Sequence, residues 1–331
     1  MKKMMKNKDF NSIIDLIENN DSFLISSHVN PDGDNIGSIL ALKIFLEQLG
    51  KKVEVVLDDQ VPSCFSFLPQ SQEIKQYDED LVVDFDVLFA LDAGDKGRIA
   101  DVVQLLDDQA LVNIDHHADN TLYGDYNLVS DAAATAELIY QIIVELDKTQ
   151  LNQNIATAIA TALVTDTGSF RYSNTTPATH QIMAELLKFD IDVNYISRQI
   201  FESNTYQSLK LRAKVLETLE IDETGEIAWL EISQQSLDEV NATWEDAEGI
   251  VSYPRSLQGV EVAVLFKEYK ENEIKVSLRS NQYFAVDEVA HKFDGGGHAK
   301  AAGCLLESKL EEAEKQVIKA IKERLAKQET G

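Results

Sequence analysis

At 331 residues the chain is longer than one ordinary core requires and suits two domains, and 44% hydrophobic with 26% charged residues excludes a disordered chain. A formal net charge of −27 repels extended polyanions, so long duplex nucleic acid is a poor partner, whereas a short anionic ligand drawn to bound cations is compatible. Cys64 and Cys304 lie far apart and outside any CxxC pattern, which argues against a disulfide framework or a thiolate metal site and predicts buried free thiols.

The N-terminal MKKMMKNKDF carries lysines, but no apolar stretch follows it and no run reaches the roughly 18 residues needed to span a bilayer. A cytoplasmic protein with no membrane partner is therefore expected. SFLISSH (22–28) reads as a strand, and IGSILALKIFLEQLG as a helix with Ile39, Leu42, Leu46 and Leu49 along one face and Gly50 as its stop. KKVEVVLD, DVLFALD and ALVNID each read as further strands. Apolar strands separated by helices or long crossovers imply a mostly parallel sheet covered on both faces. From about Ala134 to Glu202 the pattern turns helical, with ATAELIYQIIVELD, NIATAIATALVTD and TPATHQIMAELL as candidates, the last capped by Thr176 with Pro177 at its first position. NTYQSLKLRAKVLETLE (204–220) is a further helix between two β-bearing regions. The expected division is thus 1–202, a connector helix at 203–222, and 223–331. In the last part GEIAWLEIS, VEVAVLFKEY and NEIKVSLRS read as strands, and LEEAEKQVIKAIKERLA as a closing amphipathic helix with Leu310, Val317, Ile321 and Leu325 near one face.

The chemistry-bearing residues recur where strands end. ISSHVNPDGDNIGS (25–38) spends His28, Asp32 and Asp34 within seven residues, where a plain turn would need only its Pro and Gly. FALDAGD leaves Asp92 and Asp95, NIDHHAD leaves Asp115, His116 and His117, and ALVTDTGSF leaves Asp166. Ligands of open parallel sheets bind beyond the carboxyl ends of the strands, so these groups are predicted to share one crevice. Imidazole and carboxylate without thiolate suit manganese or magnesium ahead of zinc, cobalt or iron. Two ions about 3.5–4 Å apart sharing a carboxylate would use such a set in hydrolysing a phosphoester. His180 and His291 lie in helical patterns without a carboxylate nearby in sequence and are read as structural.

Towards the C-terminus, DGGGHAKAAG (294–303) has three successive glycines whose amides an anion could approach, followed by His298 and Lys300. With Arg279, whose planar fork matches phosphate oxygens, this segment is predicted to form a pocket for a phosphate or a base.

In this order HVNPDGDNIGS, LDAGD, IDHHAD and TALVTDTGSF resemble the DHH phosphoesterases, and GGGHAKAAG resembles their DHH-associated C-terminal domain; the likeness covers nearly the whole chain. It implies an α/β fold: an N-terminal Rossmann-like parallel-sheet catalytic domain and a smaller C-terminal, substrate-binding α/β domain with a mixed sheet, with the active site in the interdomain cleft. Among members of this size the chain is most similar to the oligoribonucleases that also remove the 3′-phosphate from 3′-phosphoadenosine 5′-phosphate. The resemblance implies two divalent ions, manganese first and magnesium or cobalt next. His28, Asp32 and Asp92 would hold one ion, and Asp34, Asp92, His116 and Asp166 the other, with Asp92 as the bridge. His117 would act beside the ions or on the scissile phosphate, Asp115 would orient the imidazoles, and Arg279, Gly296, Gly297 and His298 would grip the other end of the nucleotide. Short single-stranded RNA or small nucleotides are the expected partners, and a homodimer is expected by analogy only. The rival readings are a phosphodiesterase for pApA or cyclic di-AMP and a catalytically silent nucleotide-binding regulator, whose mark would be lost metal ligands; none of the six is missing. The segment SNQYF after Arg279 matches no role.

Overall fold

The apolar runs of the first half become strands, and their alternation decides which side chains face which layer. A computed structural model describes residues 8–328, so that MKKMMKN lies outside the described residues, and the chain divides into two units, residues 1–203 and 204–331.

In the first unit α1 (Lys8–Asn19) precedes β1 (Ser22–Ser27), followed by α2 (Gly33–Gln48), β2 (Lys52–Leu57), β3 (Lys75–Gln76), β4 (Val87–Leu91), β5 (Ala110–Asp115) and β6 (Tyr126–Val129). Four helices complete it: α3 (Thr135–Asp147), α4 (Gln153–Asp166), α5 (Pro177–Leu186) and α6 (Val193–Phe201). The six strands form one sheet in the order β3-β2-β1-β4-β5-β6, with every pairing parallel. Phe23, Ile25, Val87, Phe89, Val112 and Ile114 face one core with α2 and α4, while Leu24, Val56, Leu88 and Ala90 face another with Ile99 and Val102. That second layer is a kinked 3₁₀ segment, Lys96–Leu105, rather than an α-helix.

The expected single apolar face of α2 is not what forms. Every residue from Gly33 to Leu46 is buried, because the helix packs against β1, β2, α3 and α4 at once. Strands β3 and β6 and helix α1 went unpredicted: each strand is four residues or fewer, too short for a period-2 pattern. Thr176 and Thr179 form the capping box of α5, with Pro177 at its start.

The second unit runs α7 (Tyr206–Leu216), β7 (Glu220–Ile221), β8 (Ile227–Ile232), α8 (Gln234–Asp238), α9 (Ser252–Arg255), β9 (Val262–Lys270), β10 (Glu273–Ser280), α10 (Asp287–His291), β11 (Gly296–His298), β12 (Ala301–Glu307) and α11 (Leu310–Gln328). Its mixed sheet has the order β11-β12-β10-β9-β8-β7, antiparallel except for β8 with β9. Val317 and Ile321 of α11 pack with Val264, Val276 and Leu278 on one face, with Leu310 and Leu325 at the margin. Leu211 and Val215 of α7 pack with Leu230, Ile232 and Leu265 on the other. Neither cysteine is in a disulfide; Cys304 is buried, whereas Cys64 is only partly so. Among the described residues no helix is long and apolar enough to cross a membrane.

Candidate metal centre

The site begins with register. Ser27 pairs with Leu91 and Leu91 with Ile114, so the next residues, His28, Asp92 and Asp115, emerge side by side from three adjacent parallel strands. The strand order reverses between β1 and β4, which makes this the switch point where a parallel sheet opens a crevice. Asp92 takes a left-handed backbone, φ 55°, held by its N–H to Ile114 O at 2.9 Å; aspartate tolerates that conformation better than most residues, and it turns the chain sharply off the strand.

The stretch from His28 to Ser38 does three jobs at once. Asp32 caps α2 by accepting from the N–H of Asn35 at 3.1 Å. Asp34, in the first turn, is fully buried and accepts from Ser38 Oγ at 3.0 Å, from the N–H of Thr135 at 2.6 Å and from the N–H of Ala136 at 3.1 Å. It thereby caps α3, whose own cap position is Ala134 and supplies no side-chain bond. The glycines let α4 come close: a Cβ on Gly33 would lie 2.3 Å from Thr165 Cγ2, and one on Gly37 would lie 2.5 Å from Ala158 O. This close approach carries Asp166, the last residue of α4, to the cluster.

The imidazoles are oriented from behind. His28 Nδ1 lies 2.7 Å from Val29 O and His116 Nδ1 lies 3.1 Å from Ala132 O; a carbonyl only accepts, so Nδ1 carries the proton and Nε2 turns to the carboxylates. His28 Nε2 is 3.4 Å from Asp92 Oδ2, and His116 Nε2 is 3.6 Å from Asp92 Oδ1, 3.8 Å from Asp166 Oδ2 and 3.9 Å from Asp34 Oδ2. Except for the first, these separations exceed hydrogen-bond length, as expected of groups converging on a shared point. His117 is different: its Nδ1 donates to Asp115 Oδ1 at 2.6 Å. Asp115, buried, also accepts from the N–H of His116 at 2.8 Å and from Asn120 Nδ2 at 2.5 Å. Asp95 lies apart from the cluster and caps the 3₁₀ segment through Gly97 N, the plainer role of an aspartate after a strand.

Three ligand groupings result, each with its donor atoms within 4.8 Å of one another: His28, Asp32 and Asp92; Asp34, His116 and Asp166; and Asp92, His116 and His117. Burial raises the carboxyl of Asp34 well above its ordinary value, with the Asp92 charge adding to it and His116 offsetting only part. Partial burial likewise pushes Asp166 up to about 7, against the pull of His116. Asp92 resists burial because His28, His117 and His116 draw it down to about 2, and His116 in turn is raised to about 9 by Asp34, Asp92 and Asp166 despite its own burial. Carboxylates that crowd one another in this way, with imidazole nitrogens already turned toward them, fit one or two divalent cations. Oxygen and nitrogen donors without sulfur suit a hard or borderline ion.

Sequence reasoning missed Thr135, Asn120 and Asn174. Asn174 Nδ2 bonds Asp166 Oδ2 at 3.2 Å and Ala133 O at 3.0 Å, tying the end of α4 to the start of α3. A signal existed for Thr135: a helix that opens Ala-Thr-Ala with no capping side chain must satisfy its first N–H groups elsewhere.

In the C-terminal domain, Arg279 pairs with Ala301 and Ala301 with His298, so Arg279 and His298 occupy one row across three strands. The glycines are not equivalent. A Cβ on Gly295 would lie 2.2 Å from Gly303 O, and Gly297, at φ 137°, would place one 2.5 Å from Ala301 O, so packing against β12 accounts for both. At Gly296 the nearest atom is His291 Nε2 at 3.9 Å, which leaves room for a ligand's approach. Lys300 is not directed to an anion: its Nζ donates to Gln282 O at 2.7 Å and Phe284 O at 3.2 Å. The unmatched SNQYF wraps a buried carboxylate, since Glu261 accepts from the N–H groups of Gln282 at 3.0 Å, Tyr283 at 2.8 Å and Phe284 at 2.7 Å. His180 stacks on Phe170 with ring centroids 5.1 Å apart.

Residues 22–165 match the DHH family, N-terminal domain, and residues 229–327 match the DHHA1 domain. The chain is 33% identical over 306 residues to the bifunctional oligoribonuclease and PAP phosphatase NrnA of Thermus thermophilus, covering 92% of this chain and 90% of that one. It is 34% identical over 297 residues to the probable bifunctional oligoribonuclease and PAP phosphatase NrnA of Streptococcus mutans, covering 89% and 92%. A crystal structure of an exopolyphosphatase-related protein from Bacteroides fragilis, 28% identical, superposes with a TM-score of 0.92 over 98% of both chains. With both domains matched in order, and with relatives this similar along nine-tenths of their length, the chain belongs to the DHH family of phosphoesterases, in the branch that carries a C-terminal DHHA1 domain.

Proposed function

We propose that the chain is a cytoplasmic, metal-dependent phosphodiesterase and phosphatase that hydrolyses short oligoribonucleotides to mononucleotides and 3′-phosphoadenosine 5′-phosphate to AMP. The observation that carries this reading is the convergence of His28, Asp32, Asp34, Asp92, His116 and Asp166 at the switch point of the parallel sheet, with donor atoms within 4.8 Å in each group. The names of the Thermus and Streptococcus relatives support the substrate class.

In this reading His28, Asp32 and Asp92 would hold one ion, and Asp34, Asp92, His116 and Asp166 the other. Bound there, manganese, or magnesium or cobalt after it, would supply an activated water and neutralise charge on the phosphoryl oxygens. Asp92 presents Oδ2 toward His28 and Oδ1 toward His116, the disposition a bridging carboxylate needs. His117, oriented through Nδ1 by Asp115, contacts the scissile phosphate, and the hydrogen bonds from Asn120 and from the N–H of His116 hold Asp115 ionised for that task. Arg279, Gly296, Gly297 and His298 bind the nucleotide away from the scissile bond, which favours short strands over long ones.

Hydrolysis with manganese of an RNA 3-mer, an RNA 24-mer, 3′-phosphoadenosine 5′-phosphate and cyclic di-AMP, compared side by side, tests the reading. Fast turnover of the 3-mer and the bisphosphate is expected. Preference for cyclic di-AMP or for the 24-mer would overturn the substrate assignment while retaining the metal chemistry.

A further inference from the structure

Thr135, fully buried, touches two carboxylates of the cluster at once. Its N–H donates to Asp34 Oδ2 at 2.6 Å across 101 residues of chain, and its Oγ1 donates to Asp92 Oδ1 at 3.0 Å across 43. The first bond uses the backbone, and any residue but proline at the start of α3 would make it. The second depends on the side chain.

The terminal torsion of an aspartate is broad and nearly two-fold, so nothing intrinsic decides which oxygen faces which neighbour. Asp92 Oδ2 faces His28 at 3.4 Å, whereas Oδ1 faces His116 at 3.6 Å and His117 at 3.5 Å. The Thr135 hydroxyl is a donor bound to Oδ1, and as a β-branched residue on a helix it has few rotamers to lose in staying there. We propose that Thr135 is a positioning residue of the metal centre, whose hydroxyl fixes the rotation of the Asp92 carboxylate so that its two oxygens serve the two ligand sets. The inference rests on the reading of this cluster as a metal centre, and it assigns to a side chain on α3 a share in metal affinity.

The test is titration of the metal-free full-length chain with manganese(II), followed by calorimetry, for wild type, Thr135→Val and Thr135→Ser, with unfolding of each metal-free protein measured alongside. Hydrogen-bond partners behind a metal ligand are typically worth about 10–100-fold in affinity, so Thr135→Val is expected to bind manganese that much more weakly, and Thr135→Ser within about threefold of wild type. Equal affinity in wild type and Thr135→Val would overturn the positioning role. So would failure of Thr135→Ser to restore binding, since packing of the methyl group would then be what matters. Wild type that binds no manganese would instead overturn the metal-centre reading itself. Should Thr135→Val not fold, Thr135→Ala against Thr135→Ser makes the same comparison, and equal affinity there overturns the proposal.

Discussion

The two domains solve the problem of placing polar groups in opposite ways. In the N-terminal domain every strand of the sheet runs the same direction, so each apolar run in sequence delivers its next residue to the same edge, and His28, Asp92 and Asp115 fall in one row. In the C-terminal domain neighbouring strands mostly reverse, so paired residues such as Arg279 and Ala301 come from opposite ends of their strands, and the loops between them decide what is presented. A parallel sheet therefore writes its site into the order of the sequence, whereas an antiparallel one hides it in register and turns.

The sharpest way to break that comparison is at Asp92. Asp92→Ala is expected to lower hydrolysis of the RNA 3-mer by about a thousandfold or more, since one residue serves both ligand sets, while the circular dichroism of the protein stays that of wild type. Normal turnover in this variant would end the shared-carboxylate account. Next in size is Gly37→Val, whose added carbons meet Ala158 O and Ala162. Separation of α2 from α4 should cost about 1–3 kcal/mol in urea unfolding and weaken manganese binding as Asp166 retreats, an effect on chemistry from a residue with no functional group. The C-terminal counterpart is Glu261→Gln, which removes the charge three N–H groups share at Oε1 and sets an NH2 donor against the N–H of Gln282 in place of Oε2; a loss of about 1–3 kcal/mol in urea unfolding is expected, with manganese affinity unchanged. Weakened metal binding there would contradict the division of labour between the domains.

The smallest effect concerns pH. Partial burial, a hydrogen bond with Glu314 and the charges of Glu314, Glu220 and Glu311 push Glu231 up to about 7 from an ordinary 4.5. The folded state favours its protonated form, so this contribution to stability is fully present below about 4.5 and is lost as pH rises through about 7. Urea unfolding at pH 5 and pH 8 should show Glu231→Gln gaining on wild type at the higher pH. An unchanged difference between the two proteins across that range would show that Glu231 and Glu314 share no proton.

Legibility followed the same division. His28, Asp32, Asp34, Asp92, His116 and Asp166 could be picked out because each sits at the end of an apolar strand or helix, and apolar runs are visible in sequence. The expected face of α2 was misread because a helix buried on all sides has no amphipathic stripe. Lys300 looked like an anion ligand beside glycines, yet two carbonyls of the SNQYF loop occupy it, and that loop closes on Glu261, which precedes β9. Neither partner is near in sequence.

The ligand types, their order and the sheet that carries them follow from local patterns: strand hydrophobicity, a helix cap at Asp32, the Thr-Pro start at Thr176. Only packing decides how closely α4 approaches α2, why Gly33 and Gly37 are there, and that Asp34 satisfies a helix beginning 101 residues later. Local patterns act over a few residues through backbone preference and burial, whereas an unsatisfied helix N-terminus or a carboxylate free to rotate finds its partner wherever the fold brings one within about 3 Å.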